Sequence, residues 1–302
     1  GQQLRAQAQI LLGVADEKRN MGDVRGAVQT LLEALHIAPR NLQVMVAAAG
    51  GIDNSDGLLR ATSGVLAVDA GLLLNSEGEL SSGGDLRVDV EGDLLSDGLL
   101  YAGGDQALHV GGTLINDGSI AALGNTTIVA GAFDSTGLLG AGLDEDGRAS
   151  GSGALSVTSA QQLSATGQNV AAGDALLHGA RVDLSGSETS ARNIDIGASA
   201  GGIDTDGALV TADATLALNA SGALSNVQGE LHAGRIALDV ATLDNRAGDI
   251  VQTGAAGLRV AVAELDKLDP QQGEEASLDI RRRAMQGAER IRDDIVRAHQ
   301  AL

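Results

Sequence analysis

The sequence predicts a mainly β chain, a solenoid of about 20 residues per coil, flanked by α-helical segments at both ends. Three observations carry this. A glycine-ended turn recurs at a nearly constant interval. Short alternating apolar runs recur between the turns. The composition lacks the bulky side chains that fill a thick globular core.

The turns read Leu73-Leu-Asn-Ser-Glu-Gly78, Leu94-Leu-Ser-Asp-Gly98, Leu114-Ile-Asn-Asp-Gly118 and Phe133-Asp-Ser-Thr-Gly137. They continue as Leu163-Ser-Ala-Thr-Gly167, Ile203-Asp-Thr-Asp-Gly207, Leu224-Ser-Asn-Val-Gln-Gly229 and Leu243-Asp-Asn-Arg-Ala-Gly248. Gly57, Gly78, Gly98, Gly118 and Gly137 are 21, 20, 20 and 19 residues apart; Gly167 and Gly207 are 40 apart, with a degenerate copy at Leu184 between them. A fixed period of this length marks a repeat architecture.

Each unit also holds an alternating strand, such as Leu86-Arg-Val-Asp-Val90, Ala107-Leu-His-Val110, Thr126-Thr-Ile-Val129 or Ile236-Ala-Leu-Asp-Val240. Alternation sends one set of side chains inward and the other to water. In this reading Val129 and Leu238 point inward. Strands this short bury a face only when the next copy stacks on them. Glycine and asparagine stand where the chain turns, since both tolerate left-handed backbone angles. Asn75, Asn116, Asn226 and Asn245 recur at one phase, either as a ladder bonded coil to coil or as separate turn formers. Residues 138–160 break the rhythm and read as a loop excursion, either a tolerated insertion or a binding face.

With 43 glycines, one tyrosine, one phenylalanine and no tryptophan, the core must be built from Leu, Val, Ile and Ala. Thin stacked layers suit such side chains. The net charge is −20, and residues 50–264 account for all of it, with 8 Arg, no Lys and 28 acidic residues. That surface argues against a nucleic-acid partner, whose phosphates require basic contacts. The absence of cysteine excludes disulfides and thiolate metal sites. No signal peptide or long apolar run is seen, so the chain reads as an internal segment.

Residues 1–49 are helical in pattern and read as a helical hairpin or cap. Residues 50–264 form the repeat zone. Residues 265–273 are a linker around Asp269-Pro270, and 274–302 carry Leu278, Met285, Ala288, Ile291, Ile295, Ala298 and Leu302 on one helical stripe. That stripe either docks on its own chain or pairs weakly with another as a short coiled coil.

Catalytic patterns are sparse. Gly197-Ala-Ser199-Ala-Gly201 matches a nucleophile elbow, with Asp213 and His232 following in hydrolase order. The elbow needs a helix after the serine, and another turn follows here. The five histidines, His36, His109, His178, His232 and His299, stand far apart, and the acidic turn at Asp144 lacks calcium-loop spacing. Catalytic, cofactor and metal residues are therefore each read as none.

The phrases Leu-Asn-Ser-Glu-Gly-Glu-Leu at 74–80, Leu-Ser-Asn-Val-Gln-Gly-Glu-Leu at 224–231 and Leu-Asp-Asn-Arg-Ala-Gly-Asp-Ile at 243–250 resemble one family. They are similar to the repeats of filamentous haemagglutinins and of contact-dependent growth-inhibition effectors, the large exoproteins of two-partner secretion. The resemblance covers about residues 52–262. It implies a right-handed parallel β-helix, export through an outer-membrane transporter, a Gram-negative cell-surface or secreted location, and a stalk or adhesive role toward a host or target-cell receptor. Residues Gly22, Asp23, Ala27, Leu31, Ala34 and Pro39 resemble a single tetratricopeptide repeat. Three functions follow: a non-enzymatic structural or adhesive segment, a polysaccharide-active enzyme on a β-helix, or an assembly module acting through its helices.

Overall fold

The computed structural model describes residues 44–48 and 50–263. The chain divides into two compact units, 1–261 and 262–302. All that follows concerns the first. It is a parallel β-solenoid of about 11 turns, and no helix occurs among the described residues. The helical stripe at 274–302, the linker and most of the 1–49 segment lie outside the described residues.

Each coil contributes three short strands, one to each of three faces. On the first face Val44–Ala48, Leu66–Ala70, Leu86–Val90 and the start of Gln106–Asn116 stack in parallel register. The stack continues through Thr126–Ser135, Leu155–Ser159 and Ala175–Gly179. On the second face Ile52–Asp53, Leu73–Asn75 and Leu94–Ser96 begin a column that passes through Leu114 and Phe133 to Leu163. On the third, Leu58–Ala61, Glu79–Ser82, Leu99–Ala102, Ser119–Ala122 and Leu138–Ala141 stack likewise.

Residues 44–48, read as the end of the helical 1–49 segment, form a strand instead, Val44–Ala48. Its residues pair one for one with Leu66–Ala70. A ladder to the neighbouring coil overrides a local helical pattern, because strand preference is set by packing against neighbours.

The interior is a set of aliphatic columns. Val68, Val88, Leu108, Ile128, Val157, Leu177, Ile196, Leu218 and Leu238 succeed one another on the first face, all buried. Ile128 occupies the place expected for Val129. Val129 instead points outward, 41% exposed, paired with His109 on one side and Thr158 on the other. The physical reason is register. Ile128 must stand over Leu108, and a one-residue slip would turn the whole strand inside out.

Where the second face turns into the third, asparagines form a ladder. Asn54 Nδ2 donates to Asn75 Oδ1 at 2.8 Å, and Asn75 Nδ2 donates to Ser96 Oγ at 3.0 Å. Asn116 Nδ2 donates to Ser135 Oγ at 2.9 Å. Higher up, Thr205 Oγ1 donates to Asn226 Oδ1 at 2.9 Å, and Asn226 Nδ2 to Asn245 Oδ1 at 2.6 Å. The same amides close their own turns, as Asn75 does on Gly78 O (3.2 Å) and Asn226 on Gly229 O (3.1 Å). The two readings of these residues are thus both realised. Where Ala165 interrupts the column, Asn169 reaches in from the third face, donating to Ala165 O and Thr189 Oγ1, each at 3.0 Å.

Most of the repeat glycines serve close approach; Gly207, at φ 65° with nothing within 4 Å of an added Cβ, makes a left-handed turn instead. A Cβ at Gly98, Gly118, Gly137 or Gly167 would lie 2.1 Å from the carbonyl oxygen of the glycine one coil earlier. None of these four has a positive φ. In the longer turns the left-handed residue is the one before the glycine: Asp56, Glu77, Gln228 and Ala247 have φ of 51–59°.

Candidate interaction surfaces

With the interior filled, chemistry is confined to the outward columns. The excursion after Ala141 is not a free loop. A bridge between Leu143 and Ala149 closes it, and Leu143 is 1% exposed. Its side chain lies over Gly140 and Ala121, and its carbonyl accepts the Tyr101 hydroxyl at 3.4 Å. The excursion therefore roofs the outer side of the third face and buries the one tyrosine of the chain. Burial raises the Tyr101 pKa, with Glu145 and Asp144 adding to the effect. Beside this roof Arg60 binds Glu79 and Ser81. Burial works against the Glu79 carboxylate, but the Ser81 hydroxyl and Arg60 outweigh it and hold its pKa below the usual range.

Asp144 itself is committed to the backbone. Its Oδ1 accepts the N–H of Asp146 (3.1 Å) and of Arg148 (2.9 Å). Other aspartates bridge coils at the corners: Asp85 Oδ1 accepts Asp105 N–H (3.1 Å), Asp105 Oδ1 accepts Asn125 N–H (2.8 Å), and Asp93 Oδ1 accepts Thr113 N–H (2.7 Å). Bonds of this kind hold Asp97 low through Glu77 N–H and then Ser76, and Asp174 low through Asn193 and then Arg192. Among the described residues, no group of three or more His, Asp or Glu is placed to hold a metal ion.

The first face carries a shallow groove of about 530 Å³ along Thr158, His178, Gly197, Asn219 and Asp239. The His178 ring lies across Gly197, where a Cβ would stand 2.9 Å from it, and its Nε2 is 3.3 Å from Asp195 Oδ1. Ser199 borders this groove but donates to Gly179 O at 3.3 Å. His232 sits on the third face with Glu230 Oε2 3.6 Å from its Nε2. The serine and the histidine of the elbow pattern stand on different faces, each with its own partner. His36 and His299 lie outside the described residues.

The second face holds what the sequence reading passed over. Its outward column runs Asp53, Leu74, Leu95, Ile115, Asp134, Ser164, Asp183, Asp204, Ser225, Asp244, one residue per coil. Burial raises the Asp204 pKa, and the neighbouring charges of Asp206 and Asp183 push it the same way. The signal was present in the repeated Leu-x-Asn/Ser-x-Gly phrase, whose second position is this column.

No family model matches the chain, so the single tetratricopeptide-like repeat gains no support, and no solved structure matches. Two curated proteins resemble parts of it. Toxin CdiA of Yersinia pestis is 42% identical over 131 residues, 42% of this chain and 4% of that protein. tRNA nuclease CdiA-2 of Burkholderia pseudomallei (strain 1026b) is 44% identical over 105 residues, 34% of this chain and 3% of that protein. The matched stretches span only these few per cent of either relative. Over those stretches the chain is similar to segments of two proteins named as CdiA toxins or nucleases.

Proposed function

We propose that this chain is a non-catalytic scaffold segment of a large contact-dependent inhibition exoprotein, exported through an outer-membrane two-partner secretion transporter. It stands at the surface of a Gram-negative cell as a stalk or contact surface toward a target-cell receptor. The observation that carries this reading is the filled interior: aliphatic columns and the amide ladder occupy the inward positions, leaving outward side chains as the means of contact. The partial identity to two CdiA proteins supports the system. The coils are taken as right-handed, the hand of nearly all parallel strand crossovers.

The test is to incubate the purified chain with total tRNA and, separately, with polygalacturonate. Both substrates are expected to remain intact over hours. Turnover of either, lost on substitution of an outward residue such as His178 or His232, would replace the scaffold reading with an enzymatic one.

A further inference from the structure

On the second face an aliphatic run and an acidic run follow one another along a single outward column. Leu74, Leu95 and Ile115 stack on three successive coils on the outward side, with Leu95 38% exposed, Leu74 and Ile115 half-buried, and Leu72, 37% exposed, beside them. Further along the column stand Asp134, Asp183 and Asp204, with Asp206 at the adjoining corner. Among the described residues, no ion pair reaches Asp134, Asp183 or Asp204; Asp206 accepts the Ser225 hydroxyl (2.6 Å) and the Val227 N–H (2.7 Å) and feels the charge of Arg246, which is bound to Asp244. Like charges one coil apart raise each other's energy, and partly exposed aliphatic side chains stacked in line keep some apolar surface in water. One kind of partner relieves both.

We infer that the second face is a docking surface for a cationic, partly apolar peptide segment of a partner protein, its apolar end on Leu74, Leu95 and Ile115 and its Lys or Arg residues on Asp134, Asp183 and Asp204. This goes beyond the scaffold role and stands without it. From Leu74 to Asp204 there are six coil steps, about 29 Å at the usual strand spacing of about 4.8 Å. A helix of about 19 residues covers that length at about 1.5 Å per residue. The aspartates set the rate and the salt dependence of encounter, and the aliphatic column sets how long the segment stays.

The experiment uses the full chain and a labelled 20-residue helical peptide bearing Leu on one half and Lys on the other half of a single face. Two further peptides replace Leu by Ser or Lys by Glu. Binding is followed by fluorescence anisotropy at low and at physiological salt. Saturable binding is expected for the first peptide and at least tenfold weaker binding for the other two. The pair Asp183→Asn with Asp204→Asn, and separately the pair Leu74→Ser with Leu95→Ser, is expected to weaken it at least tenfold. The asparagines can still accept the N–H of Ser185 and Asp206 that the aspartates hold at 2.9 Å, and circular dichroism confirms each variant's fold. The pair Asp69→Asn with Asp239→Asn on the first face is expected to leave binding unchanged. No saturable binding, equal binding of the Leu-free peptide, or equal loss from the first-face pair overturns the assignment.

Discussion

Asn226 donates through Nδ2 to Asn245 Oδ1 on the next coil at 2.6 Å while its own Oδ1 accepts Thr205 Oγ1 from the previous coil at 2.9 Å. One buried amide thus ties three coils together and also closes its own turn on Gly229 O. Asn226→Ala leaves the Asn245 Oδ1 and the Gly229 carbonyl without their amide donor, while the Thr205 hydroxyl keeps Ser225 O at 3.0 Å. Each buried group left unpaired costs about 1–3 kcal/mol. Chemical denaturation is expected to show a loss of that order or larger, with a surface change such as Asn219→Ala nearly neutral.

Leu238 is fully buried and Val129 is 41% exposed. Leu238→Asp places a charge in the aliphatic columns, and a loss above about 4 kcal/mol, the exceptional class for single substitutions, is expected. Val129→Asp should change stability by no more than about 0.5 kcal/mol, as surface substitutions do. Similar losses for both variants, read from thermal melts, would reject the register of this face.

Gly98 stands directly against the preceding coil. An added methyl would lie 2.1 Å from Gly78 O and 2.7 Å from Gly78 N. Gly98→Ala is expected to cost about 1–3 kcal/mol by overpacking. At Gly257 an added methyl would meet nothing within 4 Å, so the same change is tolerated there; equal melting temperatures for the two variants would contradict the steric role.

Gln106 sits between Leu86 and Thr126 in an inward column, 1% exposed, and both its amide atoms lack a partner among the described residues. Gln106→Leu continues the aliphatic column and removes the cost of unpaired groups. A gain of about 1–3 kcal/mol in unfolding free energy is expected; a loss would mean that the amide is satisfied in solution.

Asp97 and Asp204 respond to acid in opposite directions. The Glu77 N–H and then the Ser76 hydroxyl lower the pKa of Asp97 in the folded chain. Its stabilisation is complete above the unfolded pKa of about 3.9 and fades as pH falls through the lower folded value. Burial raises Asp204, so its ionised form opposes folding at neutral pH, and acid relieves this. Asp97→Asn should lower the denaturation midpoint at pH 7 and Asp204→Asn should raise it, with both differences shrinking toward pH 3.

Much of the fold was legible because Leu-x-Asn/Ser-x-Gly repeats the same chemistry on every coil, and a period needs no long-range information. The strand at 126–130 was misphased because Ile128 and Val129 are adjacent aliphatic residues, and only pairing with Leu108 decides which turns inward. Ser96, Ser135 and Thr205 were not read as ladder members, since they share a position with asparagine but not its side chain. Gly186 and Gly207 are left-handed as read, with φ of 68° and 65°, whereas at Gly98, Gly118, Gly137 and Gly167 the constraint comes from the coil beneath, which local sequence does not display. The roof over Tyr101 depends on Leu143, 42 residues away, a contact that no local pattern reports.

The stacking of coils is tested most directly by distances along one outward column. The chain has no native cysteine, so paired labels can be placed cleanly. Asp69, His178 and Asp239 lie on the same column, five coil steps from the first to the second and three more to the third. Spin labels at Asp69→Cys and His178→Cys should stand about 24 Å apart, and those at Asp69→Cys and Asp239→Cys about 38 Å, from a spacing of about 4.8 Å per coil. Distances that fail to grow with the number of intervening coils, as when the strands fold back on one another in hairpins, would contradict the stacked solenoid.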